Sequence, residues 1–199
     1  MYAEEWRSIP DTIFHDWPRW NGETSIRELA ERIIREHRIT NGDEVIGSSL
    51  GGIVACEIAN QVPIRRLTLV GSAICKEEIN ALLASLHPLV DLLPVEMVRI
   101  SAQKLPHELS AMFAKSEPEF IRNMTKAIFD WNGLKSDVPL LRIHGLSDLV
   151  IPLPETVIDP IDGGHLIAMT NAKECIGRIA ENKALDSIGA GSADPDRVS

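Results

Sequence analysis

The stretch Val45-Ile46-Gly47-Ser48-Ser49-Leu50-Gly51-Gly52-Ile53 decides how this chain folds. Gly47-x-Ser49-x-Gly51 is the pattern of a nucleophile elbow, a sharp strand-to-helix turn with a serine at its apex. The backbone at such an apex is strained, and side chains two residues away on either side would collide with the junction, so glycine is expected there. The pattern by itself is weakly specific, and its flanks supply the context. Val45-Ile46 reads as a short strand, and Ile53-Val54-Ala55-Cys56-Glu57-Ile58-Ala59 as a buried helix ended by Asn60 and Pro63. A phosphate loop, the other common use of a glycine-rich turn, would need G-x-x-x-x-G-K-[ST] or G-x-G-x-x-G, and neither is present. Ser48 falls off the apex and is expected to support the turn.

An unassisted serine hydroxyl is a poor nucleophile near neutral pH. It needs a histidine to take its proton and a carboxylate to fix that histidine's tautomer. Downstream, Leu140-Leu141-Arg142-Ile143 is a strand candidate running into His144-Gly145-Leu146-Ser147-Asp148, and Ile161-Asp162-Gly163-Gly164-His165 follows. Ser49, Asp148 and His165 therefore stand in the chain order Ser, Asp, His. Asp137, Asp159 and Asp162 compete for the acid position. Asp148 is preferred because it lies just past a strand end, on the rim where the elbow also lies, whereas Asp137 precedes its strand. His144 is expected to be structural, and His15, His37, His87 and His107 to be surface or helix-face residues.

The elbow, the segment His144-Gly145-Leu146-Ser147-Asp148 with Val150-Ile151-Pro152 after it, and Asp162-Gly163-Gly164-His165 together resemble the three catalytic segments of the α/β-hydrolase family, in particular small bacterial serine esterases. The resemblance spans about residues 11–182. It implies Ser49 as nucleophile, Asp148 as acid, His165 as base and the Leu50 backbone N–H as one oxyanion donor. It further implies hydrolysis of carboxylic esters or thioesters of a small apolar acyl or alkyl substrate through an acyl-serine intermediate. Two departures stand out. The family's oxyanion loop, on a strand beside the nucleophile strand, should precede residues 12–17, and the chain starts too late to contain it, so that either upstream residues are absent from this sequence or the fold is rebuilt around the gap; residues 1–10 read as the helix after that loop. The run from Asp148 to His165 is also short, and Pro152 and Pro154 oppose a helix there, so residues 156–159 are expected to form a strand. The missing oxyanion segment motivates a rival expectation, a weakly active or non-catalytic module that binds a small apolar ligand or a protein. An unpaired sheet edge would invite a homodimer.

Around these motifs, strands and helices alternate, which implies an α/β fold with a mostly parallel sheet covered by helices on both faces. Residues 12–17 read as a strand. Ser25-x-x-Glu28 is a capping box, after which Ile26, Leu29, Ala30, Ile33, Ile34 and His37 recur at helical spacing until Asn41-Gly42-Asp43. Residues 66–71 are the next strand. From about 72 to 131 the pattern turns helical, with breaks at Pro88, Pro94 and Pro106, and helices are expected over 76–87, 96–103, 107–115 and 116–131. The resemblance makes this insertion a lid. Residues 171–183 read as a closing helix, and residues 188–199 as a disordered tail.

At 199 residues, one domain is expected, spanning residues 1–187. The formal net charge of −9 disfavours nucleic acid and anionic membranes as partners, which leaves a small-molecule substrate. Three cysteines form no framework. With no basic and apolar leader visible, they suggest a reducing, cytoplasmic setting. No H-E-x-x-H or Cys/His ligand cluster predicts a metal, and no cofactor is expected.

Overall fold

The computed structural model describes residues 4–15, 17–80 and 118–190. Three parallel strands, β1 (Glu44–Ser48), β2 (Arg66–Val70) and β3 (Leu140–Ile143), form a sheet in the order β1-β2-β3. Glu44 pairs with Arg66, and Leu67 with Leu140. Parallel neighbours need crossovers, and α1 (Ile26–His37), α2 (Leu50–Gln61), α3 (Pro118–Asp130), α4 (Ile167–Thr170) and α5 (Ala172–Ala190) supply helices on both faces.

The alternation of side chains along β2 separates two cores. Leu67 and Leu69 join Ile26, Leu29, Ile53, Val54 and Met124 on the face carrying α1, α2 and α3. Val70 points the other way, among Trp6, Ile143, Ile167, Cys175 and Ile179. The helix α1 begins as expected at Ser25, whose Oγ accepts the Glu28 N–H at 3.1 Å. The Glu28 carboxylate, however, reaches back one residue further than in a simple capping box and accepts from Thr24 N–H at 2.8 Å. The helix ends earlier than the Asn41-Gly42 signal implies. Arg38 takes a left-handed conformation (φ 54°), and its N–H closes on the Ile34 carbonyl.

Several expectations are corrected. Residues 12–15 and 17 form no strand, because no described strand lies alongside to complete a ladder; Ile13 is 78% exposed. Trp17 instead pairs with Phe120, ring centroids 5.7 Å apart. The far edge of β1 has no partner strand among the described residues. Residues 1–10 hold a 3-10 helix at Glu4–Ser8 rather than an α-helix. Residues 156–159 are not a strand either. Its Val157 N–H closes a local turn on the Pro154 carbonyl at 3.0 Å instead of joining a ladder, and a single bridge, Gly145 to Ile161, remains. The expected helix over 76–87 is a short 3-10 turn at Lys76–Glu78 in its described part. The closing helix runs to Ala190, so residues 188–190 are helical rather than frayed.

The helices expected over 96–103 and 107–115, most of the lid, and the tail beyond Ala190 lie outside the described residues. The last helix expected in that insertion, α3, is described. Met124, Ala127 and Trp131 are buried with α1 and α2, so its apolar stripe packs into the body of the fold. Trp131 Nε1–H donates to the buried Glu57 carboxylate at 3.0 Å, and Asn60 of α2 accepts the N–H groups of Lys135 and Ser136. Elbow helix and the segment after α3 are thus tied together.

The N-terminal turn is tied down by Trp6, 1% exposed, whose Nε1–H donates to the Ala168 carbonyl at 2.6 Å. Deleting a buried indole costs about 3–5 kcal/mol. We expect Trp6→Ala to lower the free energy of unfolding by that amount, read as a lower urea midpoint at unchanged m value, and a loss below about 1 kcal/mol would show that this segment is dispensable.

Candidate active site

The site is built where β1, β2 and β3 end. At the end of β1 the chain reverses direction at Ser49, which adopts φ 52° and ψ −126°, a conformation that side-chain-bearing residues rarely take. Four hydrogen bonds hold it there. Ser49 N–H donates to the Val70 carbonyl at 3.3 Å, and the Ser49 carbonyl accepts from Gly52 N–H (2.9 Å), Ile53 N–H (3.3 Å) and Ser72 Oγ–H (2.8 Å). The first turn of α2 thereby starts at Leu50.

The glycines are needed at two places. A Cβ on Gly47 would overlap the Gly51 carbonyl, and one on Gly52 would overlap the Ser72 hydroxyl. Among the described residues, a Cβ on Gly51 would meet only Trp17 Cζ2, at 3.8 Å, an ordinary contact. The crowded position after the serine is therefore Gly52 rather than Gly51.

Past β3, residues 144–148 lie against residues 161–165. Ile161 N–H donates to the His144 carbonyl (2.8 Å), Leu146 N–H to the Ile161 carbonyl (2.8 Å) and Ser147 N–H to the Gly163 carbonyl (2.9 Å). The two backbones approach so closely that a Cβ on Gly145 would overlap the carbonyls of Gly163 and Gly164. This short parallel contact places Asp148 and His165 face to face.

The three predicted residues meet in one chain of hydrogen bonds. Ser49 Oγ is 2.8 Å from His165 Nε2, and His165 Nδ1 is 2.9 Å from Asp148 Oδ2. Because the carboxylate can only accept, Nδ1 carries the proton and Nε2 presents its lone pair to the serine. Asp148 is 4% exposed, and its other oxygen accepts from Val150 N–H (2.8 Å) and Ile151 N–H (2.9 Å). Burial alone would push this carboxyl up. Hydrogen bonds from His144 and His165 outweigh burial and hold it well below the usual carboxylate range.

The competing acids stand elsewhere. Asp137, Asp159 and Asp162 are exposed, and Asp159 is paired with Arg178. His15 and His37 stack on each other with centroids 3.4 Å apart, and His87 and His107 lie outside the described residues. The N–H groups of Leu50 and Gly51 are the first of α2 and belong to the positive end of that helix. Burial pushes the thiols of Cys56 and Cys175 up to about 12, which makes them poor nucleophiles. An open cleft of about 610 Å³ lies between residues 77–80 and 152–156 and includes none of the three. Sequence reasoning missed Ser72, and it undervalued His144, which touches Asp148 directly. Among the described residues no helix is long and apolar enough to cross a membrane, and no group of three or more His, Cys, Asp or Glu converges as a metal site.

No protein-family model matches the chain. No curated protein matches it in sequence. Its architecture, in contrast, is similar to solved structures. A hydrolase from Pseudomonas aeruginosa PA01 superimposes with a TM-score of 0.60 at 16% identity, over 80% of this chain and 72% of that one. A lipase-esterase related protein from Clostridium acetobutylicum ATCC 824 gives 0.59 at 14% identity, over 84% and 79%. The enol-lactonase from Burkholderia xenovorans LB400 gives 0.58 at 16%, over 79% and 72%. The fold is that of the α/β-hydrolases.

Two outcomes test the site's construction. Gly51→Ala should leave stability unchanged or slightly raised, since alanine favours a helix by up to about 1 kcal/mol, whereas Gly52→Ala should cost about 1–3 kcal/mol by overpacking; equal effects in thermal melts would refute the assignment. Asp148 titrates lower in the folded than in the unfolded chain, so its contribution to stability is present above the ordinary carboxylate range and disappears as pH falls through and below it. The stability gap between wild type and Asp148→Asn should therefore shrink as pH drops from about 5 to about 2, and a gap that stays constant would contradict the native-state pairing.

Proposed function

We propose that this chain, with its α/β-hydrolase fold, is a serine hydrolase of carboxylic esters or thioesters with a small apolar acyl or alkyl group. The observation that carries the proposal is the unbroken hydrogen-bond chain from Ser49 through His165 to Asp148, assembled from three separate segments at one rim of the sheet. The solved structures of similar fold include a lipase-esterase related protein and an enol-lactonase, which is consistent with ester chemistry.

In the proposed reaction, Ser49 Oγ attacks the carbonyl carbon while its proton passes to His165 Nε2. The carbonyl oxygen becomes an oxyanion beside the Leu50 N–H, at the positive end of α2. The bond to the leaving alkoxide or thiolate breaks as His165 returns the proton to it, which leaves acyl-Ser49. Water then gives its proton to His165 and attacks the acyl carbon. The Oγ–C bond breaks, and Ser49 regains the proton. Asp148 stays ionised throughout and stabilises the imidazolium. The three free cysteines suit a reducing compartment, and we place the enzyme in the cytoplasm.

A fluorophosphonate probe should label the wild type and leave Ser49→Ala unlabelled, and hydrolysis of p-nitrophenyl butyrate should vanish with the same substitution. Asp148→Asn should lower turnover by about 10⁴, the loss produced by the wrong tautomer in such a triad on another fold, while Asp159→Asn and Asp162→Asn should leave it unchanged. Labelling that survives Ser49→Ala would remove Ser49 from the mechanism, and the absence of any Ser49-dependent hydrolysis would favour a binding module.

A further inference from the structure

His144 is a buried titratable group that the proposed reaction does not use. It is 1% exposed, and its Nε2 lies 2.8 Å from the Ile151 carbonyl and 3.3 Å from Asp148 Oδ2. Both neighbours are acceptors, so Nε2 must carry a proton and share it between them. Asp148 Oδ2 therefore receives N–H donors from two imidazoles, His165 and His144, while Oδ1 is occupied by Val150 and Ile151 N–H. With donors on both oxygens the carboxylate is held in one orientation, and the two imidazoles share Oδ2.

We infer that His144 is a positioning residue of the active site: it locks the Asp148 carboxylate toward His165 and, by competing for the same oxygen, limits how strongly that carboxylate favours the His165 imidazolium. The inference rests on the proposed serine-hydrolase function and deepens it, since it assigns the acid limit of activity to a residue outside the triad. Among the described residues, the titratable side chains bonded to Asp148 are His144 and His165 alone. The Arg142–Glu78 ion pair, two residues upstream of His144, is closed on itself at 2.7 Å, and Arg142 also donates from Nη1 to Thr156 Oγ1 and from Nη2 to the Ser72 carbonyl. A purely space-filling His144 would affect folding stability without touching the pH dependence of catalysis.

The test combines a measurement on the wild type with two variants. Long-range 1H–15N spectra of the imidazoles should show His144 neutral with its proton on Nε2 across neutral pH. A bare Nε2 would overturn the inference, whether or not any variant folds. In His144→Phe the shared donor is gone and His165 becomes the one imidazole on Oδ2. The acid limb of kcat/KM for p-nitrophenyl butyrate should then move to higher pH by roughly half a unit, with a fall in kcat larger than any change in KM. His144→Gln, whose amide N–H reaches the place of Nε2, should restore the wild-type limb. A folded His144→Phe variant with Ser49-dependent hydrolysis and an unmoved limb overturns the inference alone. A wild type without Ser49-dependent hydrolysis overturns the proposed function, and the role of His144 in it, whatever the spectra show.

Discussion

The backbone of Ser49 is the constraint around which the rest is arranged. A residue with a side chain at φ 52° and ψ −126° is held at a cost of roughly 1–3 kcal/mol, and only surroundings that over-determine it keep it there. Here the surroundings are specific. The end of β2 offers the Val70 carbonyl and the Ser72 hydroxyl, α2 offers two N–H groups, and the space is clear because positions 47 and 52 carry no side chain. The gain is direction. The hydroxyl stands on the sheet rim at the mouth of a helix, where an imidazole from a distant part of the chain can reach it.

Much of this was legible in the sequence because it depends on local chemistry. Glycine at 47 and 51, the apolar pair before them and the buried helix after them announce the elbow without any long-range information. Ser25 with Glu28 announces the start of α1 in the same way. The alternation of Leu67 and Leu69 with Thr68 and Val70 fits a strand covered on both sides. Ser49, Asp148 and His165 could be chosen by chain order and by their positions past strand ends, and the structure brings those three together.

What the sequence concealed depends on partners. Residues 12–17 alternate like a strand, yet a strand exists only as part of a ladder, and no described neighbour lies beside this one. Residues 156–159 fail for a related reason, since Val157 N–H is spent on a local turn to the Pro154 carbonyl. The importance of His144 is invisible in a one-dimensional reading, because its contact with Asp148 arises only once the 144–151 turn has closed. The motif also misdirects at one point: Gly51 belongs to the pattern, while steric need falls on Gly52, whose neighbour Ser72 lies twenty residues downstream.

The backbone contact between residues 144–148 and 161–165 has an evolutionary consequence. Every main-chain hydrogen bond in it fixes one register, and Gly145 stands directly against the carbonyls of Gly163 and Gly164. An inserted or deleted residue within either segment would slide Asp148 past His165. Between them, residues 155, 156, 158 and 159 are exposed and form no ladder. Length variation among descendants of this chain should therefore collect in that outward loop, while the two flanking segments drift only by compensated substitution, each tethered to the spelling of the other.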